Sequence, residues 1–363
     1  MYMSEKACKH IDACRFCWMC RHICPVGNAT GQERNTARAR ALGLSLVTRD
    51  AMSLADMVGN LYECACCGAC VKECVTGWDP VMFTKEARLQ ALMDGVAPSY
   101  INALIDRCLN EGCAYGAEES DALQQAISAH SAPQKVLLFL GSDARKRVPT
   151  AAINAIRLME KTGVSFTVLV KEPESGVQLD FLTGASDETR RQMQECADAI
   201  NTFETVVAFD PADAKVMLRE YKEWQIPLNA TVRTFTSFLA EQVKNGALKL
   251  CNTGRTVTVQ DPFQLARDLG ETEELRALVG AAAEMKELLL NRKDTMWAGN
   301  ILMAEYLPET ILHVAEERIQ NVLGVNENTI VTACVSEYAS LCAVKQDKVA
   351  VLSIEELLLE AAE

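Results

Sequence analysis

Eight cysteines in two runs constrain this 363-residue chain more than any other feature. Cys14, Cys17, Cys20 and Cys24, followed by Pro25, read C-x2-C-x2-C-x3-C-P, and Cys64, Cys67, Cys70 and Cys74 read C-x2-C-x2-C-x3-C. Three thiolates two residues apart in a tight loop wrap three corners of a cube, and the fourth comes from elsewhere. This is the bacterial spacing for a [4Fe–4S] cluster, and in two-cluster modules the fourth cysteine of each run ligates the other run's cluster. On that rule Cys14, Cys17, Cys20 and Cys74 hold one cube, and Cys64, Cys67, Cys70 and Cys24 hold the second. Such crossed wiring brings two clusters close together and points to electron transfer. A pair of zinc sites is the competing reading, but tetrahedral zinc needs only four ligands and does not call for this run twice.

Sixteen cysteines would suggest disulfides in a secreted protein. No basic stretch leading into an apolar one follows Met1, so the expected setting is reducing and cytoplasmic. No run approaches the roughly 18 to 20 apolar residues that span a bilayer, which leaves peripheral membrane association as the closest expected contact with lipid. The net charge of −13 lies almost wholly beyond residue 118. An acidic body argues against nucleic acid and suits a protein partner with a basic docking face.

The 39 residues from Pro25 to Glu63 are more than a compact ferredoxin needs. Ala37 to Leu42 and Ser53 to Tyr62 read as helices, with Ser53 as N-cap, and Pro80 to Asp94 continues as helix after a Gly77-Trp78-Asp79-Pro80 turn. Residues 1–118 therefore form an α-helical two-[4Fe–4S] ferredoxin domain, with a linker signalled by Gly112 to Gly116 and extending over 119–133. From Gln134 the pattern becomes α/β. Val136 to Leu140, Val164 to Val170 and Val206 to Phe209 are strand candidates, with a helix from Thr150 to Thr162. Thr256 to Val259 and Thr329 to Thr332 repeat the arrangement, so 134–250 and 251–363 are expected to be two tandem α/β units arising by duplication. The stretch Ile354 to Glu360 is amphipathic at helical spacing and should pack on the second unit.

This order, together with Cys14 to Pro25, the Gly77 to Pro80 turn, Gly112 to Gly116 and Asp261-Pro262 followed by Leu265-Ala266-Arg267, resembles a family of iron–sulfur subunits. It includes the iron–sulfur subunits of the FAD-linked enzymes glycolate oxidase and anaerobic glycerol-3-phosphate dehydrogenase, and the D subunit of heterodisulfide reductase. The resemblance implies that each α/β unit is of the CCG type, which carries a cysteine after its first strand, an adjacent cysteine pair before glycine, and a later C-x2-C, able to bind a non-cubane cluster or zinc. This chain departs from that pattern. Its first unit has Ser142, Glu174-Ser175 before Gly176, and Asp210 and Asp213; its second has Phe263, Trp297-Ala298 before Gly299, and Cys334 with Glu337. Both units thus read as degenerate CCG scaffolds without a cluster, because carboxylates and aromatic rings cannot replace soft thiolates. Asp210, Asp213 and Glu174 are expected to be solvated carboxylates at strand ends.

Cys66 breaks the two-residue spacing and is expected to be a non-ligand thiol. Cys8, Cys108, Cys113, Cys196 and Cys251 read as small buried apolar residues. Arg21 and His22 lie between Cys20 and Cys24, where a charge could raise a cluster's potential. Arg34, Arg38 and Arg40 fall on helical turns near the first run and read as a solvated or docking face. Neither G-x-G-x-x-G nor G-x-x-x-x-G-K-[ST] occurs in the right context, so no flavin or nucleotide is expected on this chain. The resemblance implies an electron-transfer subunit without a catalytic residue of its own. It would relay electrons from a FAD-containing dehydrogenase, acting on a 2-hydroxy acid or polyol, to an electron-transferring flavoprotein, a ferredoxin or a quinone-linked protein. A heterodisulfide reductase-like catalytic subunit and a free ferredoxin-like carrier are the alternatives.

Overall fold

The structure is a computed structural model that describes residues 3–116, 118–344 and 348–363. Among the described residues up to 116, the regular elements are all helices. Ser4 caps Glu5–Asp12, Thr36 caps Ala37–Thr48, and the Asp79 carboxylate accepts from the Val81 and Met82 amides to start Pro80–Met93, whose first residue is a proline that needs no donor. Ser99–Glu111 completes the module, and Leu44, Leu61, Tyr62, Phe83 and Ile101 are buried at its centre. The helix expected from Ser53 to Tyr62 is broken. Ser53 and Asp56 close a capping box over a single tight turn, the backbone departs from helical geometry at Met57, and Val58–Tyr62 follows as a separate short helix. Val58, Gly59 and Asn60 are weak helix formers, so the local cap prevails over continuation.

The rest is α/β. β1 (Val136–Phe139), β2 (Phe166–Thr167), β3 (Thr205–Ala208) and β4 (Thr231–Thr234) make a parallel sheet of order β2-β1-β3-β4. β5 (Thr256–Gln260), β6 (Glu284–Lys286), β7 (Thr329–Thr332) and β8 (Ala350–Ser353) repeat it as β6-β5-β7-β8. The central strands are buried on both faces, as helix-covered parallel sheets require, and Leu137, Leu138 and Phe139 are shielded from water accordingly. β4, β6 and β8 escape sequence reading because edge strands need not be apolar; Glu284 and Lys286 of β6 face solvent. The expected strand from Val164 to Val170 pairs at only two residues.

The stretch expected to be a linker holds regular structure, and the C-terminal helix packs on the second α/β region as expected and on the first as well. The stretch 119–133 contains a helix, Asp121–Ala129, capped by Ser120 and anchored through buried Leu123 and Ile127. The C-terminal helix Ile354–Ala361 packs against both Pro149–Lys161 of the first α/β region and Glu273–Ala282 of the second. Its Leu357 and Leu358 join Leu138, Val207, Val257 and Val331 in one core shared by both sheets. Among the described residues no helix is long and apolar enough to cross a membrane.

The helical module leans on the second sheet's helices. Ile23, Val26 and Cys67 pack with Trp297, Met303 and Ile311. Arg267 Nε donates to the Cys67 carbonyl at 2.8 Å, and the Tyr306 hydroxyl donates to the Tyr62 carbonyl at 3.0 Å. The cysteine loops are thereby held against the α/β body.

Candidate metal centre

The two cysteine runs fold as copies of one loop. Phe16 and Cys66, each two residues after the first cysteine of its run, both have φ of 52°. In each case the amide points back at the first thiol: Phe16 N lies 3.5 Å from Cys14 Sγ, and Cys66 N lies 3.4 Å from Cys64 Sγ. Cys66 therefore occupies the place that phenylalanine holds in the first loop, and its thiol hydrogen-bonds with that of Cys64. A five-residue helix follows each loop, Met19–Ile23 and Ala69–Glu73, and the two pack together.

That pairing brings the last cysteine of each run toward the other run. Burial raises the Cys14 thiol, and the neighbouring thiols of Cys17 and Cys74 add to the rise. Burial likewise raises Cys24 and Cys70; the sulfur neighbours of Cys24 are Cys64 and Cys20, and those of Cys70 are Cys64, Cys67, Cys24 and Cys20. Cys24, Cys64, Cys67 and Cys70 line one cavity with about 360 Å³ of open space. A Cβ on Gly27 would stand 3.6 Å from Cys24 Sγ and only 2.9 Å from a Thr36 methyl, so the close approach there requires glycine. Among the described residues no three His, Cys, Asp or Glu side chains stand close enough for a single metal ion.

Two buried guanidinium groups back that cavity. Arg40 donates through Nε to the Asn60 carbonyl at 3.0 Å and through Nη2 to the Asn35 carbonyl at 2.9 Å. Arg88 donates to the carbonyls of Leu61, Cys64 and Phe181, and lies over the rings of Tyr62 and Phe181. Arg40 is 1% and Arg88 0% exposed, and their hydrogen bonds go to carbonyl groups. A buried cation needs an opposing charge. Arg40 has Cys64, Cys24 and Cys70 as its leading negative neighbours, and Arg88 has Cys66 and Cys64 among its own. Four thiolates carrying an anionic iron–sulfur cluster fit this surrounding. Arg40, expected on a solvated or docking face near the first run, lies inside, beside the second. Sequence alone carried no signal for this, because a buried arginine in Ala39-Arg40-Ala41 looks like any helical surface charge.

The first run opens outward. Cys17 is exposed, and around it Phe16, Trp18 and Met19, with Val75 beside Cys74, are large apolar side chains in solvent. Arg38 lies 4.1 Å and Arg21 5.5 Å from the Trp18 ring centre. Arg21 and His22 are exposed, and Arg34 pairs with Glu63 at 2.6 Å.

The remaining expected positions scatter. Cys108, Cys113 and Cys196 are buried, as anticipated; Cys8 is half-buried, and Cys251 is exposed in the loop after Leu250, where its thiol lies 3.2 Å from the Ala361 carbonyl. The carboxylates expected in solvent at the first unit's strand ends are not there. Asp210 and Asp213 are buried, Glu174 is half-buried, and burial pushes Asp210 up to about 7 and Glu174 up to about 8. The reason is tertiary: the strand ends face the other sheet and the second cysteine loop instead of water. Glu337, at the matching place in the second unit, is also buried and pushed up to about 7 by desolvation, while its carboxylate accepts from the Ala298 amide and Gln260. Ser142 and Cys334 are buried near these ends.

Residues 10–78 match the 4Fe-4S dicluster domain family. Over 360 residues the chain is 22% identical to the D subunit of dihydromethanophenazine:CoB–CoM heterodisulfide reductase of Methanosarcina acetivorans, covering 89% of this chain and 86% of that protein. It is 20% identical over 339 residues to an uncharacterized iron–sulfur protein of Methanococcus maripaludis, covering 91% of this chain and 67% of the relative. Among solved structures, a glutamate racemase of Bacillus anthracis aligns over 62% of this chain and 78% of its own at 15% identity, with a TM-score of 0.31, too low to bear on the fold. A 4Fe-4S dicluster domain followed by an α/β region with two parallel sheets makes this chain an iron–sulfur protein of the electron-transfer kind.

Proposed function

We propose that the chain is the electron-transfer subunit of a cytoplasmic dehydrogenase complex. Cys14, Cys17, Cys20 and Cys74 would hold one [4Fe–4S] cluster, and Cys64, Cys67, Cys70 and Cys24 the other. The observation that carries this reading is the single cavity lined by Cys24 of the first run and by Cys64, Cys66, Cys67 and Cys70 of the second loop, backed by Arg40 and Arg88. Bound there, the clusters supply one-electron redox steps. The chain's own residues do the rest. Arg40 and Arg88 offset negative charge at the inner site, and Trp297 and Met303 pack in one apolar cluster with Cys67.

Phe16, Trp18, Met19 and Val75 offer the outer site an apolar docking face, edged by Arg15 and by Arg21 and Arg38, both of which pair with Glu33. The proposed partner is a FAD-containing dehydrogenase subunit acting on a 2-hydroxy acid or polyol, with an electron-transferring flavoprotein, a ferredoxin or a quinone-linked protein as acceptor. Residues 1–118 would be the relay module, and 134–250 and 251–363 two degenerate CCG-like units serving as platform. A reductase of the heterodisulfide type is the second reading, favoured by similarity along 89% of the chain to one polypeptide of such an enzyme. It would need iron beyond what eight thiols hold.

Anaerobic affinity purification from the native host separates the two. A stoichiometric flavoprotein supports the relay, and its substrate identifies the reaction. A chain that emerges without flavin and turns over a disulfide overturns it.

A further inference from the structure

In open parallel sheets, ligands bind outside the carboxyl ends of the strands where the strand order reverses. Here the order reverses between β1 and β3 and again between β5 and β7. A cleft with about 740 Å³ of open space lies at those ends, reached by Asp143 after β1, by Asp210 and Asp213 after β3, and by Phe263 and Gln264 after β5. Ala65 and Cys66 of the second cysteine loop form part of its wall and also line the cavity of Cys24, Cys64, Cys67 and Cys70.

Two buried acceptors in the cleft have no donor. Oδ1 of Asp210 accepts from the Ala212 amide at 2.7 Å, but Oδ2 has no partner, although the residue is only 1% exposed. Oε1 of Gln264, 6% exposed, has none either. Buried polar atoms without partners cost folding free energy and are uncommon, so a bound group that supplies donors is expected there. The nearby cations are engaged elsewhere: Lys85 pairs with Asp180 at 2.5 Å, and Lys215 with Glu220 at 2.5 Å. Asp213 accepts from the Ser175 hydroxyl, and Asp143 from the hydroxyls of Tyr115 and Ser336. Burial raises Asp213 and, to about 7, Asp210, and the surrounding carboxylates add to it. A metal ion does not suit the place, because among the described residues no three acidic or sulfur ligands are close enough to share one. The walls are partly aromatic, through Phe181, Phe263 and Trp297.

We propose that this cleft binds a small organic ammonium whose N–H groups donate to Asp210 Oδ2 and Gln264 Oε1 and whose carbon body lies against Phe263 and Trp297. The site stands independently of the relay reading, since none of its polar contacts is a cysteine.

Calorimetric titration of the anaerobically purified full chain with benzylamine and n-butylamine tests it, with benzoate as the anionic control. The expected result is one ammonium bound per chain by at least one of the two amines, and benzoate at least about tenfold weaker. Asp210→Asn keeps the helix-capping acceptor and should weaken the amine by at least about tenfold, and Gln264→Ala by about threefold or more. Binding of neither amine, equal binding of benzoate, or unchanged affinity in the folded variants overturns the proposal. If Asp210→Asn fails to fold, Gln264→Ala decides. Iron content is followed in parallel, so that loss of clusters, which bears on the relay, is told apart from loss of the amine site.

Discussion

Arg40→Met removes one of the two buried cations beside the inner cysteine set, and the expected result is a lower midpoint potential for the cluster held there. The Asn35 carbonyl lies 2.9 Å from Arg40 Nη2 and 3.5 Å from Cys24 Sγ, which puts the guanidinium within about 6.4 Å of that sulfur. At an effective dielectric of about 20, unit charges about 6 to 8 Å apart interact by about 2 to 3 kcal/mol. For a one-electron couple that is about 90 to 120 mV. The reduced state carries the extra negative charge, so loss of the cation disfavours reduction and the potential falls. The outer site should move less, because the arginine influencing Cys14 is Arg38. Anaerobic redox titration followed by electron paramagnetic resonance reads both potentials. A shift below about 20 mV at the inner cluster, or an equal shift at both, would refute the idea that Arg40 serves as its local counter-charge.

Other consequences concern wiring and stability. Cys74→Ala should abolish the cluster of the first run and Cys24→Ala that of the second, each leaving about four irons per chain; spectra showing the reverse assignment would mean that each run is self-contained. Arg276→Leu leaves the Asp261 carboxylate, 1% exposed and bonded to Arg276 at 2.7 and 2.9 Å, without its cation. Urea unfolding should show a loss of about 3 to 5 kcal/mol, and a loss under about 1 kcal/mol contradicts the reading of that pair as buried. Desolvation raises Glu355 to about 8, whereas in the unfolded chain it ionises near about 4.3. The folded state therefore holds a proton that the unfolded state releases. Its contribution is full below about pH 4 and is lost as pH rises through about 8. Glu355→Gln should gain stability relative to the parent between pH 5 and 9, and a difference that does not change with pH would rule this out.

The two cysteine runs stand out in the sequence because cluster ligation ties chemistry to short spacing, and Phe16 and Cys66 in matching backbone conformations show the two loops as copies. The central strands were legible for a similar reason: burial on both faces leaves uninterrupted apolar runs such as Val136 to Leu140. What escaped depends on tertiary placement. β6 is a polar edge strand with no periodic signature. Arg40 and Arg88 look like surface charges until their helices are docked behind the cysteines. Asp210 and Asp213, expected in water at a strand end, are buried because two sheets and a cysteine loop converge on that end. A sequence pattern records which residues follow a strand, but not what the strand's end faces.

Iron and acid-labile sulfide, quantified together with electron paramagnetic resonance of the reduced chain after anaerobic purification, test the central claim most directly. The account predicts about eight of each per chain and a spectrum broadened by magnetic coupling between two neighbouring centres. About four irons, zinc in place of iron, or two uncoupled signals would contradict it.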